Sequence, residues 1–275
     1  MTGDFTKEII SAYYQRKFSL KPLLDVIGIE DFSYREFGFL LGKVEGHFVR
    51  NLSFRQPAEL RSYLINKAPW AAYVGAAYEQ RPTKKTPVTS LPLKKKELVF
   101  DIDLTDWNDL RTCGKEKDHY CKECWPFVRK AAKFIDETLQ EDFGFEELHW
   151  FFSGRRGLHA WVLGERSQNL SKDAREAVIE YISPRKRGTL SKRFQFRAWN
   201  ILCEGLKGGK GGSNLEKIYE NLPRLDRKVT IDLHRLMRVP DSIHQATGRP
   251  VTTVENLETF YPDSVPFVWE ILERG

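Results

Sequence analysis

No apolar run in the sequence reaches the roughly 18 residues that a membrane-spanning helix needs, so helical membrane spans are not expected. The opening Met1 to Glu8 is too polar for the apolar core of a secretory signal, and an intracellular setting is expected. Cysteine is scarce, four in 275 residues. A chain this long buries a core without covalent staples, and thiols in a reducing compartment are free to bind metal. Internal repeats are missing, and the length fits one large domain or two modest ones. With 41% apolar and 30% charged residues the composition is globular, neither disordered nor collagen-like. A strong excess of one charge is also absent: 44 Lys and Arg against 38 Asp and Glu leave +6, which by itself implies no polyanion partner. Two basic clusters, Arg81 to Lys85 with Lys94 to Lys96, and Arg185 to Arg187 with Lys192 and Arg193, read in isolation as solvated loops.

Mixed α and β patterning fills the rest. Ile9, Ile10, Tyr13 and Tyr14 recur at helical spacing, and Pro22 opens a second short helix. Strands are expected over 35–41 and 47–54, with a turn at 42–46, then a helix over 57–65 and a strand over 70–78. After a surface segment, 81–96, a strong strand starts at Glu97. Pro126 to Leu139 reads as a helix with Phe127, Val128, Ala131, Phe134, Ile135 and Leu139 on its buried stripe. Strands 148–152 and 158–163 follow, joined by a glycine-flanked turn. Residues 165–222 are basic and helical, with a glycine run at 206–213 whose composition is that of a linker; the phosphate-loop spacing is missing. Residues 225–275 return to core-like patterning.

Four constellations could carry chemistry. In Leu98 to Leu104 the apolar residues face one way, and Asp101 and Asp103 the other, about 6.5–7 Å apart. Two carboxylates so placed can share a pair of divalent cations; the plain alternative is a half-exposed strand with its acids toward water. Cys113, His119, Cys121 and Cys124 lie within twelve residues (113–124) of a polar loop. Their spacing suits a closed Cys3His zinc shell, structural because it leaves no open position, with a redox Cys-x-x-Cys as the alternative. Cys203 stands apart as an expected core residue. Ser153-Gly154-Arg155-Arg156-Gly157-Leu158-His159 places two guanidiniums, a hydroxyl and an imidazole on one rim, as a triphosphate clamp requires; a charged hairpin turn is the alternative. In 225–248, Thr230 could cap a short helix with Leu233, Leu236 and Met237 inward, leaving Asp226 before it and Arg238 and His244 after it. Asp232 is a rival carboxylate at the helix start.

Glu97-Leu-Val-Phe-Asp-Ile-Asp, the loop ending Cys124-Trp125, Glu141-Asp-Phe-Gly-Phe, Ser153 to His159 and the 225–248 block ending Thr247-Gly248 together resemble the small, catalytic subunit of archaeal and eukaryotic DNA primase. Arg35-Glu36-Phe37 and Gly75-Ala-Ala-Tyr extend the likeness toward the front. The resemblance implies an α/β (α+β) core of mixed sheets flanked by helices. That core spans 1–164 and 223–275 with a zinc knuckle at 106–125, and 165–222 forms a small helical or linker subdomain. It implies a carboxylate triad of Asp101, Asp103 and Asp226 holding two Mg²⁺ or Mn²⁺ ions. Ser153, Arg155, Arg156, His159, Arg238 and His244 would bind nucleotide, with Glu36 and Arg50 helping to hold the initiating one. Cys113, His119, Cys121 and Cys124 would hold zinc. The implied activity is synthesis of RNA primers from NTPs on single-stranded DNA. The implied partners are the primase large subunit and a replicative polymerase complex, in the nucleus of a eukaryote or the cytoplasm of an archaeon. The chain departs from the family pattern at Arg238, where eukaryotic members carry Lys, at Ala246, where archaeal members often carry Lys, and in its short helical excursion. Other readings are a primase-like repair or plasmid polymerase, a non-catalytic zinc module that binds nucleic acid, and, from the carboxylates alone, a two-metal nuclease.

Overall fold

The structure is a computed structural model, and it describes residues 5–42, 46–111, 113, 120–204 and 213–274. Among these residues two antiparallel sheets carry the fold. β1 (Arg35–Leu41), β2 (His47–Leu52), β3 (Ala71–Tyr78) and β4 (Leu93–Lys95) form the first sheet in the order β2-β1-β3-β4. β5 (Leu98–Asp103), β6 (Leu148–Phe152) and β7 (Gly157–Val162) begin the second. β8 (Met237–Arg238) joins the first sheet through β3, and β9 (Thr252–Thr253) closes the second, whose order is β5-β7-β6-β9.

The helices begin and end where local chemistry dictates. Thr6 caps α1 (Lys7–Arg16), and Pro22 sits in the first turn of α2 (Lys21–Ile27). Pro57 opens α3 (Pro57–Lys67) in the same way. α4 (Trp125–Phe143) starts on Pro126 and stops at Gly144, which takes the left-handed cap at φ 66°. After the short α5 (Glu165–Gln168), serine side chains cap α6 (Lys172–Ile182), α7 (Lys192–Leu202) and α8 (Asn214–Asn221). α9 (Arg227–Ile231) and α10 (Val268–Glu273) complete the set among the described residues. No described helix is long and apolar enough to cross a membrane.

Strand alternation divides the interior into two cores. Leu98, Phe100, Ile102 and Leu104 are all fully buried in a cluster with Val128, Ala131, Phe134, Ile135 and Leu139 of α4. α6, α7 and α8 add Val178, Ile182, Phe194, Ala198 and Ile218 to this same cluster, so the helical excursion shares its core with the second sheet. Cys203 is buried there, as its sequence setting suggested. The opposite face of the second sheet, carrying Val99, Phe151 and Trp161, packs with Phe37, Phe39, Val74 and Met237 of the first. The two sheets therefore meet across the face of β5 that bears Asp101 and Asp103.

Two local expectations need correction. Thr230 does not cap a helix: Asp226 caps α9, its Oδ1 accepting from the Lys228 N–H at 3.0 Å, and Thr230 lies buried within the helix. The helix stops at Ile231 with Asp232 as its C-cap, because the chain beyond leaves for the first sheet, where Met237 and Arg238 pair with Val74 and Tyr73. Phe127, expected on the buried stripe of α4, is only half-buried, against the ring of Trp107. Most of the 42–46 turn and of the glycine run lies outside the described residues, as does His119.

Candidate active site

β5 and β7 pair so that Asp101 stands opposite His159 and Asp103 opposite Gly157. The turn between β6 and β7 is tight for steric reasons. A Cβ on Gly157 would lie 2.2 Å from the Ile102 carbonyl oxygen, and one on Gly154, already at φ 86°, would lie 2.7 Å from the Cβ of His244. The Ser153 hydroxyl accepts from the N–H groups of Arg155 at 3.4 Å and Gly157 at 3.2 Å, so it braces the turn that presents the two arginines. Asp226 arrives from far along the chain: its N–H donates to the Asp101 carbonyl at 3.4 Å. Asp101, Asp103 and Asp226 thus gather at one edge of the second sheet.

Their electrostatics are those of crowded acids. Burial, then the charges of Asp103 and Asp226, push the Asp101 carboxyl up to about 7. Asp106, in the turn after β5, rises to about 6 through burial and the same two neighbours. The sequence reading passed over Asp106, although its place three residues after Asp103 was visible. Asp103 behaves oppposite to Asp101: burial acts to raise it, but hydrogen bonds from Arg156 Nε at 2.8 Å and from Thr105 hold it below the usual carboxylate range. Acidic oxygens crowded in this way are hard ligands short of positive charge, a donor set that fits Mg²⁺ or Mn²⁺.

Facing the acids is a cationic pocket. Arg238, on β8, lies over the Tyr73 ring with its guanidinium carbon 5.1 Å from the centroid, and its Nη1 has no hydrogen-bond partner. Burial, then Arg238, depress the His159 imidazole to about 3, and its Nε2 sits 3.5 Å from Asp101 Oδ1. Burial, then Arg238 and Arg155, hold His244 well below the ordinary histidine value. Both imidazoles are therefore neutral at pH 7, so the positive charge here comes from Arg155, Arg156 and Arg238. The His244 Nδ1 accepts from the Ala246 N–H at 3.2 Å, which leaves Nε2 as the donor.

Glu36 and Arg50 are placed differently. Glu36 is fully buried on β1 and accepts from Arg50 Nε at 2.8 Å and Nη2 at 3.1 Å. Arg50 also donates to the His234 carbonyl at 3.1 Å. The pair borders a groove of about 720 Å³ lined by Phe48, Arg50, Tyr73, His234 and Arg235. Tyr73 belongs to both regions, under Arg238 and in the groove wall, and nothing in the sequence had marked it or His234.

The sulfur atoms of Cys113, Cys121 and Cys124 lie within 4.8 Å of one another. A tetrahedral zinc thiolate shell needs sulfurs roughly 3.8 Å apart, so these thiols fit zinc. The three aspartates do not close into so tight a ligand group, since Arg156 holds Asp103 and the cap of α9 engages Asp226.

The family description "DNA primase small subunit" matches residues 100–256, more than half of the chain and all of its acid and arginine site except the Glu36–Arg50 pair. This chain belongs to the DNA primase small subunit family. The primase small subunit of Schizosaccharomyces pombe is 37% identical over 188 residues, 66% of this chain and 40% of that protein. That of Methanocaldococcus jannaschii is 30% identical over 269 residues, 85% of this chain and 75% of that protein. The Methanobrevibacter smithii primase small subunit is 28% identical, with 96% of each chain covered. The chain spans about 40% of the length of the eukaryotic primase subunits it matches. A solved polymerase domain of Mycobacterium tuberculosis Ligase D, in complex with DNA, overlays 98% of this chain and 88% of that one at 14% identity and a TM-score of 0.48, too distant to bear on function.

Proposed function

We propose that this chain is the catalytic subunit of a DNA primase, joining NTPs into short RNA primers on a single-stranded DNA template. The observation that carries the reading is the meeting of Asp101, Asp103 and Asp226 beside a pocket whose charge is supplied by Arg155, Arg156 and Arg238. In the reaction the 3′-oxygen of one nucleotide attacks the α-phosphorus of the next, the bond to the β-phosphate breaks, and pyrophosphate leaves. Asp101, Asp103 and Asp226 would hold two Mg²⁺ or Mn²⁺ ions, which lower the pKa of the 3′-hydroxyl and neutralise the leaving group. Arg155, Arg156 and Arg238 bind the triphosphate and offset the charge that develops as the bond breaks. His159 and His244, being neutral, serve as hydrogen-bonding groups that orient phosphate oxygens. The groove beside Glu36 and Arg50 supports a place for the initiating nucleotide.

A further groove of about 510 Å³ is lined by Lys172, Arg185, Arg227 and Lys228 together with Glu176 and Asp232; Arg185 and Arg227 are already paired with Glu180, so Lys172 and Lys228 are the cations it offers to a template backbone. Binding there is electrostatic, hence salt-sensitive and weakly dependent on sequence. A large primase subunit and a replicative polymerase complex are the partners that follow from this reading.

Labelled NTP supplied with a homopolymer DNA template, bare or carrying an annealed RNA primer, should yield extended RNA with Mg²⁺ or Mn²⁺. No incorporation under either condition would refute the proposal, and release of nucleotides from the DNA without NTP would indicate a nuclease instead. The cysteine cluster is read as a structural zinc site completed by His119. Cys121→Ser should lower both bound zinc and melting temperature while the fraction still folded keeps its activity per molecule. Loss of activity in fully folded variant would contradict a purely structural site.

A further inference from the structure

We infer that Arg249 is a positioning residue that links the cysteine-bearing loop to the nucleotide-binding turn; the inference rests on the reading of residues 153–159 and His244 as that pocket. Arg249 has no place in the proposed chemistry. Its side chain is nonetheless largely buried, with 12% exposed. The guanidinium carbon lies 4.5 Å from the centroid of the Phe267 ring and 5.9 Å from that of Tyr120. Its Nη1 donates to the Tyr120 hydroxyl, which in turn donates to Asp263 at 2.9 Å. Tyr120 immediately precedes Cys121, so this end of the contact belongs to the loop that carries the thiol cluster.

The backbone of the same residue holds the other end. The Arg249 carbonyl accepts from the His244 N–H at 2.9 Å. Its own N–H donates to the Thr247 hydroxyl at 3.2 Å, and that hydroxyl donates to the Gly154 carbonyl at 2.6 Å. A Cβ on Gly154 would come within 2.9 Å of the Arg249 carbonyl oxygen, so the turn presenting Arg155 and Arg156 is packed directly on this residue. One residue therefore touches the cysteine loop with its side chain and sets the place of His244 and the arginine turn with its backbone. Tyr120 and Phe267 hold the head of Arg249, and His244, Thr247 and Gly154 are bonded through its backbone, so one unbroken chain of contacts runs from Tyr120 to the pocket.

Two substitutions test the link while keeping apolar bulk: Arg249→Met, and Tyr120→Phe, which removes only the hydroxyl. The affinity for a fluorescently labelled ATP, measured by anisotropy with Mn²⁺ well below the melting temperature, should fall about tenfold in each, as loss of a coupled hydrogen bond predicts. The double variant should bind no more weakly than the weaker single one, because both changes break the same connection. The ring resonance of His244, assigned by its disappearance in His244→Gln, should shift in Tyr120→Phe; this readout needs no nucleotide. Unchanged affinity with lowered melting temperature would reduce Arg249 to packing and overturn the link. So would losses that multiply in the double variant, or a stationary His244 resonance. If the wild type binds no labelled ATP while the His244 resonance still shifts, the nucleotide reading falls and the structural link stands.

Discussion

On the proposed function, Asp101→Asn should lower primer synthesis by about a thousandfold, the equivalent of about 4 kcal/mol of transition-state stabilisation, and should leave the cation-free protein at least as stable as before. The two halves of this expectation have one cause. Asp101 is the acid most strongly opposed by its surroundings: burial disfavours its charge first, and Asp103 and Asp226 add repulsion. An asparagine of nearly the same shape removes that charge, so in EDTA at neutral pH the fold loses a penalty and no contact of comparable worth. For the proposed catalysis the same change removes a negative oxygen where the two cations would need one. The measurements are kcat/KM for NTP incorporation and urea unfolding in EDTA, on the same preparation. Near-wild-type synthesis would remove Asp101 from the cation site, and a marked loss of stability would mean that its carboxylate is structural.

Arg35→Met should destabilise the protein by about 3–5 kcal/mol, the usual result of removing one member of a buried ion pair. Arg35 and Glu97 are both fully buried, joined by two parallel hydrogen bonds at 2.5 and 2.6 Å. Arg35 also donates to the carbonyls of Gly75 at 3.2 Å and Ile27 at 3.3 Å. Burial acts to raise the Glu97 carboxyl, but Arg35 outweighs it and holds Glu97 below the usual range. A depressed carboxylate contributes stability above its unfolded pKa and loses it as pH falls through the folded one. Without Arg35 the sign reverses: Glu97 loses its bidentate partner and keeps only the Gln168 amide at 3.2 Å and the charge of Lys96, and the deficit shrinks on acidification as it protonates. Urea unfolding at pH 7 and pH 5 checks this, and Arg35→Met combined with Glu97→Leu should recover much of the loss. The pair ties β1 to the residue before β5, so the strand bearing Asp101 should also lose its fixed position against the first sheet, with the proposed activity falling alongside stability.

What could be read locally was read well, because its cause is local. The alternation of Leu98, Phe100, Ile102 and Leu104 against Asp101 and Asp103 follows from the strand period of two, and all four apolar residues are buried together. The stripe of α4 follows from the helical period, and its ends follow from Pro126 and Gly144. The cysteine spacing pointed to one cluster, and three of its thiols meet. The glycines of the turn 153–157 marked a tight turn in the sequence, but the contacts that require them, with Ile102, His244 and Arg249, come from distant parts of the chain.

Other features were invisible in one dimension. Spacing alone left Asp226 and Asp232 as rivals; the docking of the chain on β5 brings the Asp226 N–H to the Asp101 carbonyl and puts Asp232 at the far end of a five-residue helix. Asp106 became notable only because two other acids reach it through space. Tyr73 and His234 sit in ordinary patterns and matter through what the first sheet lays against them. Residue order by itself determined the main strands, the ends of α4 and the family, since each depends on neighbours a few positions apart. Which acids meet, which imidazoles lose their charge and what Arg249 connects were decided by the packing of one sheet on the other, since charge and desolvation act across distances in space that separation along the chain does not encode.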